Sequence, residues 1–320
     1  MSPRRQSGAA MLTALLIASL VAGLAAAMVW RQYRAIQVEA AERARSQANW
    51  VLQGALDWAR LILREDARAN QTTPVDHLGE VWAVPLAEAR LSTFLAAGQE
   101  SGGGGTADVD AGPDAFLSGS IADAQGLYNL RNLLGGAAVP AIEQDTLQRI
   151  CQTAGAPPAT VALIINGMRA AYATPLDEAS APLQPNSIDE LAWFGLSPDT
   201  IERLRPFLVI LPVPTRVNLN TAPREVIAAL LAIDLASAER LAQGRRAAPL
   251  QTVEAAGAYL PQGSVQNQDR AAVQSSFFFV TGRLRMDGRV QEQRSLVYRN
   301  GLNMVTLQRQ PVVPSAATPG

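Results

Sequence analysis

Lysine is absent from this 320-residue chain, histidine occurs once (His77) and cysteine once (Cys151). Each scarcity excludes chemistry. Without lysine there is no Ser–Lys dyad. With one histidine, any Ser–His–Asp or Cys–His arrangement rests on His77 alone. No pair of His or Cys residues has zinc-ligand spacing. A lone Cys151 forms no intramolecular disulfide, so bridges do not staple the fold. His77 has no evident partner set and reads as structural or solvated. Cys151 lies in a helical pattern and reads as a small buried hydrophobe. This inventory argues against an enzyme. Aromatics make up only 5% of a chain that is 48% hydrophobic, so Ala, Leu and Val fill most of the core. The 27 basic residues are all Arg and alternate with 28 acids, giving a net charge of −1 and no basic block for a polyanion.

What is present begins with an apolar run. Ala9 to Val29 is apolar but for Thr13 and Ser19. At about 1.5 Å per residue a helix of this length crosses one bilayer core. Arg4 and Arg5 precede the run, and Arg31 and Arg34 follow it, so charge counting alone does not orient it. Three readings compete. A secretory signal would be cut after a short apolar core, for instance at Ala25-Ala26-Ala27. A prepilin leader would be cut before the run, at Gly8-Ala9. A plain anchor would not be cut. The membrane-length core, with no turn cluster after Val29, favours the prepilin reading.

The helix is expected to continue past the membrane, for roughly 55 residues in all, because no Pro appears between Gly8 and Pro74. Ala44, Ala48, Val51, Ala55, Trp58 and Ile62 fall on one helical face. Small residues there admit a second helix, and Trp50 and Trp58 read as packing the helix on a sheet.

Beyond it, 71–100 is mixed and Ser101-Gly102-Gly103-Gly104-Gly105 is a flexible loop. Ala115 to Ala122 reads as a strand. Helices are predicted over Ala141–Ala154 and Ala159–Tyr172. A capping box, Ser187 to Glu190, opens a third, and Ser197-Pro198 starts a fourth. Arg224–Leu231 follows with Thr221 as cap candidate, then Ala236–Gln243 ended by Gly244, and a short element from Thr252. Ser276–Met286, Val290–Arg299 and Leu302–Arg309 form a three-strand meander, turning at Asp287-Gly288 and Asn300-Gly301. Arg283, Arg285 and Arg294 are expected to solvate one sheet face. The tail 311–320 reads as disordered. The economical architecture is α+β, an antiparallel sheet packed on the helix with helices inserted between its strands.

Several strings, in this order, resemble the minor pseudopilin K family of type II secretion (GspK). They are Gly8-Ala9-Ala10-Met11-Leu12-Thr13-Ala14-Leu15-Leu16, Asp76-His77-Leu78-Gly79-Glu80-Val81-Trp82-Ala83, Asp123-Ala124-Gln125-Gly126-Leu127-Tyr128-Asn129-Leu130, Ser187-Ile188-Asp189-Glu190-Leu191 and Val217-Asn218-Leu219-Asn220-Thr221-Ala222. The resemblance implies a pilin-like helix on a sheet with two inserted SAM-like helical domains. It divides the chain into a leader (1–8), a transmembrane helix (9–30), its periplasmic continuation (31–70) and a pseudopilin strand with the Gly-rich loop (71–126). Two helical domains (127–213 and 214–274), the C-terminal strands (275–310) and the tail (311–320) complete it.

The same resemblance implies a non-enzymatic, single-pass inner-membrane protein with its C-terminal domain in the periplasm. Prepilin peptidase would cut between Gly8 and Ala9 and methylate Ala9. Minor pseudopilins I and J, with H as a further candidate, and the inner-membrane platform would be partners. Thr13 stands where major pilins carry Glu. A carboxylate in lipid needs a pair, which in a filament is the neighbour's ammonium; a tip subunit has no such need. The family also brings Ca²⁺ into view through an acidic run near Asp-Trp-Ile-Asp. Here that stretch reads Leu163-Ile164-Ile165-Asn166-Gly167-Met168-Arg169, with only Asp177 and Glu178 after it, so no metal ligand or cofactor is assigned.

Asn218 to Ala222 also resembles a helix-hairpin-helix DNA-binding module, the alternative function. Such modules use a Gly-x-Gly hairpin, whereas the turn here is Ile233-Asp234-Leu235-Ala236-Ser237. Nucleic acid is therefore not the expected partner.

Overall fold

The computed structural model describes residues 7–93, 114–136, 138–173, 182–261, 269–286 and 288–312. The chain forms two compact units, Met1–Gln53 and Gly54–Gly320, and the division falls inside one helix, α1 (Ser7–Ala69). At 63 residues α1 is longer than the sequence led us to expect.

In the first unit α1 is Ala- and Leu-rich, a composition that loses little side-chain freedom in a helix. Its most apolar 18-residue window has a mean hydropathy of 2.4 and no buried share. Met11, Leu15, Leu20 and Leu24 are all at least 60% exposed. An exposed apolar surface of that length matches a bilayer core.

In the second unit, residues 54–69 of α1 lie on an antiparallel sheet. Leu56, Ala59 and Leu63 are buried with Trp82, Phe278, Val280, Val297 and Met304. The buried stripe therefore runs one position along from the expected Ala55–Trp58–Ile62 line. Trp58 is 42% exposed and stands outside the buried set expected to include it, and Trp50 is 75% exposed. Arg60 Nε donates to the Met304 carbonyl at 2.9 Å and fastens the helix to the far strand.

The sheet has five strands: β1 (Leu86–Arg90), β2 (Ala115–Asp123) and, after four two-residue strands described below, β7 (Phe277–Met286), β8 (Arg289–Asn300) and β9 (Asn303–Val312). Their order is β1-β2-β7-β8-β9 and every pairing is antiparallel. The expected strand at 115–122 and the meander both form. Gly288 and Gly301 take φ of 72° and 58° in the turns, where a side chain would be strained. Strand β1 was not foreseen; Leu86–Arg90 is a short, charged edge strand without alternation. β9 runs on to Val312, with Pro311 opposite Gln293, so that part of the tail is ordered. The Gly-rich loop, Asp287 and residues 313–320 lie outside the described residues.

β2 and β7 are neighbours, Asp123 opposite Phe278, although both helical blocks lie between them in sequence. Two short parallel pairs make this possible. β3 (Tyr128–Asn129) pairs with β4 (Leu208–Val209), and β5 (Val217–Asn218) with β6 (Ala271–Ala272). Each block thus leaves where it enters. The first holds α2 (Ala141–Thr153), α3 (Thr160–Ala171), a 3-10 segment (Ile188–Phe194) and α4 (Pro198–Leu204). The second holds α5 (Arg224–Leu231) and α6 (Leu235–Ala247). One hydrophobic core, from Tyr128 to Ala271, runs through both without a break.

Local signals mostly act as read. Ser197 Oγ accepts from Thr200 N–H with Pro198 in the first turn of α4. Glu190 accepts from Ser187 N–H at 3.3 Å, but the segment it opens is a 3-10 helix closed by Gly195. Two signals act differently. Thr221 does not cap α5; Pro223 stands at that position. Gly244 does not end α6, which runs on to Ala247, because the Tyr259 ring fills the space beside it; a Cβ there would meet that ring at 2.2 Å.

Candidate functional site

The signature strings of the sequence converge where the helical blocks join the sheet. Asp123, at the end of β2, accepts through Oδ1 from Gln125 N–H at 2.7 Å. Its Oδ2 accepts from Asn218 Nδ2 (2.9 Å), Thr221 Oγ1 (2.6 Å) and Ser275 Oγ (2.6 Å). Loss of solvent raises the Asp123 pKa, while the Ser275 and Thr221 donors oppose that rise. Gln125 Oε1 accepts from Ser276 N–H (2.6 Å) and Phe277 N–H (3.2 Å), and its Nε2 donates to the Arg216 carbonyl at 3.1 Å. Asn129 and Asn220 bridge the backbone at Val213 and Leu250 in the same way. Gly126 is required there, since a Cβ would lie 2.9 Å from Thr221 Oγ1. These short polar side chains replace the ladder bonds that the chain forgoes where it leaves the sheet.

Deeper in, Arg270 and Glu143 form a buried ion pair with Nε–Oε1 at 2.8 Å and Nη2–Oε2 at 2.9 Å. Tyr128 Oη donates to the same carboxylate at 2.8 Å, and Arg270 Nη1 to the Leu230 carbonyl at 3.1 Å. The pair locks α2 and α5 together across the two blocks.

At the foot of α1, Asp66, Asp76 and Glu80 bring carboxylate oxygens within 4.8 Å of one another. Arg299 on β8 faces them, with Nη1 2.9 Å from Asp66 Oδ2 and Nη2 on Asp76 Oδ2. Ser275 N–H donates to Asp76 Oδ2 at 2.7 Å. Glu80 accepts from Asn70 Nδ2 (2.8 Å), His77 N–H (2.9 Å) and Trp82 Nε1 (2.7 Å). Asp76 Oδ1 is buried and accepts from no one. Burial, then the charges of Glu80 and Asp76, push the Asp66 carboxyl up to about 7 against the pull of Arg299. Asp76 is raised too, again chiefly by burial. The Asp76–Ala83 string is visible in the sequence, whereas Asp66 and Arg299 carry no signal there. Helical spacing hides Asp66, and Arg299 becomes its partner only through the fold.

The other residues singled out fall as follows. Gly8 and Ala9 lie in the first turns of α1. Thr13 Oγ1 donates back to the Ala10 carbonyl at 2.9 Å, a bond that satisfies a hydroxyl in an apolar helix. The three processing and tip residues are thus on one helix. His77 Nδ1 accepts from Gly79 N–H, a local turn bond. Cys151 is buried and its thiol is pushed up to about 12 by desolvation. Within α3, Ile164 and Met168 are buried and the Leu163–Arg169 stretch has no carboxylate; Asp177 and Glu178 lie outside the described residues. Of the sheet arginines, Arg283 is exposed, Arg285 pairs with Glu88, and Arg294 stacks on Phe279 at 3.7 Å rather than reaching solvent freely. In the α5–α6 hairpin Arg245 turns inward onto the Leu219 and Ala222 carbonyls, and Asp234 caps α6 through Ser237. The hairpin tip therefore presents an acid where a phosphate-binding turn needs N–H groups.

A long apolar N-terminal helix, a sheet on its residues 54–69 and a helical body clasped between two neighbouring strands define a pilin-like fold. The pattern of the family described as "Type II secretion system (T2SS), protein K" matches residues 217–276. Type II secretion system protein K of Klebsiella pneumoniae is 30% identical over 96% of each chain. Its counterpart in Pseudomonas aeruginosa is 28% identical over 92% of this chain and 90% of the relative. A solved chain of the GspK–GspI–GspJ complex from enterotoxigenic Escherichia coli shares the fold, with a TM-score of 0.65 and 17% identity over 86% of this chain and 99% of that one. The chain belongs to the type II secretion system protein K family and is a minor pseudopilin, not an enzyme.

Proposed function

We propose that this pseudopilin is cut by prepilin peptidase between Gly8 and Ala9, methylated on Ala9, and held in the inner membrane by α1 with its second unit in the periplasm. There it joins minor pseudopilins I and J at the pseudopilus tip, with the inner-membrane platform as the assembly machine. The tip primes the filament that drives folded proteins through the outer membrane. The observation that carries this reading is the helical body inserted between β2 and β7. Its bulk suits an end of a filament better than a repeating position. Thr13 supports the same place, because the neutral hydroxyl bonded to Ala10 asks for no ammonium from a subunit ahead. The printed composition of the similar solved complex, GspK with GspI and GspJ, supports the partners.

Co-purification tests the reading. The full chain, tagged and extracted in mild detergent, is expected to retain pseudopilins I and J of its own organism. Salt-sensitive binding to duplex DNA with no pseudopilin retained would instead favour the helix-hairpin-helix reading.

A further inference from the structure

The face of the sheet turned away from α1 carries an arginine without an acceptor. Side chains alternate along β7, so Phe278 and Val280 pack with α1 while Phe279 points to the other side. Arg294 of β8 lies on the Phe279 ring, with Cζ 3.7 Å from its centroid. Among the described residues no oxygen takes a hydrogen bond from this guanidinium and no carboxylate pairs with it. The side chain is half-buried, and burial, then the charge of Arg205, lowers its pKa against the pull of Asp189. A desolvated donor fork ordinarily finds an acceptor.

A cleft of about 60 Å³ opens beside it, where residues 186–189 and β4 of the first helical block meet β8 and β9. Two guanidiniums, Arg205 and Arg294, line it against one carboxylate, that of Asp189. Asp189 is already engaged, with Arg205 Nη1 donating to Oδ2 at 3.2 Å and Nη2 to Oδ1. Arg205 Nε goes to Glu202 Oε2 at 3.1 Å. The positive charge of Arg294 is therefore left over. Gln310 stands opposite Arg294 in the β8–β9 ladder, and Gln308 opposite Leu296. Both glutamines line the cleft, and among the described residues neither side-chain amide is spent on a hydrogen bond.

We propose that Arg294, with the Gln308 and Gln310 amides beside it, receives one carboxylate borne by an Asp or Glu side chain of a partner protein. A planar guanidinium held against a ring offers parallel N–H donors that match the two oxygens of a carboxylate. One unspent positive charge suits a carboxylate better than a phosphate dianion. The small volume admits the carboxylate itself and little of a larger free ligand. The partner approaches on the side of the sheet opposite residues 54–69 of α1. This site belongs to the second unit alone and does not depend on processing at Gly8 or on tip assembly.

Trifluoroacetate is the probe, followed by ¹⁹F NMR with full-length protein in detergent micelles at constant ionic strength. Its line is expected to broaden with the wild-type protein and to sharpen again on adding acetate or N-acetylglutamate methylamide, but not chloride. Arg294→Met keeps an unbranched chain over Phe279 and removes the donors. It should weaken trifluoroacetate binding by at least about tenfold. Arg283→Met, at an exposed arginine of β7, should leave binding unchanged. Circular dichroism checks the fold of each variant, and the wild-type competition series decides the matter if one fails to fold. Absence of broadening, broadening that chloride relieves as well as acetate does, or broadening unchanged in folded Arg294→Met overturns the site. Citrate displacing the probe far more readily than the capped glutamate would point to a free polycarboxylate and overturn the protein-borne source.

Discussion

Arg299 of β8 reaches back to Asp66 near the end of α1, Nη1 2.9 Å from Oδ2, and closes the helix onto the sheet. Its Nη2 also donates to Asp76 Oδ2 and to the Ser275 carbonyl. Removing one member of a buried pair leaves a stranded charge. Arg299→Met should therefore cost about 3–5 kcal/mol, read as a lower midpoint in denaturant unfolding. A loss below 1 kcal/mol, on the order of a surface pair, would show that the cluster contributes little.

The same cluster sets a pH dependence. Asp66 titrates at about 7 in the folded chain against 3.8 as a free carboxyl. Between those values the native state holds a proton that the unfolded chain has released. Stability from this group is full below pH 4 or so, declines as pH rises, and is lost through about pH 7. Asp66→Asn should flatten that fall. A variant whose stability still drops with the wild-type slope would remove Asp66 as its source.

Gly244→Ala inverts a common rule. In an exposed helix interior the change stabilises by roughly 1 kcal/mol. Here the new Cβ would meet Tyr259 at 2.2 Å, so a loss of about 1–3 kcal/mol is expected on thermal unfolding. Gly244→Ala with Tyr259→Ala should recover the helix gain.

That glycine also marks how far sequence could carry the fold. The meander was legible because turn residues and strand composition agree over 276–309, and the boundaries of α5 were read correctly because apolar spacing and Pro223 agree. Gly244 was read as a stop since a ring from Tyr259 leaves no local trace. The two-residue pairs β3–β4 and β5–β6 are too short for any period to register. The candidate sites divide the same way. Asp123, Gln125, Asn218 and Thr221 lie in the strings that carry the family resemblance, but their shared role needs distant segments in contact. The Asp66–Arg299 pairing spans most of the chain and had no signal at all.

Asp123→Ala tests that junction. It strips an acceptor from Gln125 N–H, Asn218, Thr221 and Ser275. A cost of about 3 kcal/mol or more is expected, since hydrogen bonds to a charged group each contribute about 1.5–3 kcal/mol. Amide exchange should quicken at 124–129 and 217–222 while β8 and β9 stay protected. Uniform acceleration across the sheet would mean that the inserted body and the sheet open as one.

The central claim, a pseudopilin processed at Gly8-Ala9 and carried by α1, meets its most direct test in intact-mass analysis of protein extracted from the native membrane. The account predicts a chain beginning at Ala9 with one methyl group on its amine. A chain cut after Ala27, or one that keeps residues 1–8, would contradict it.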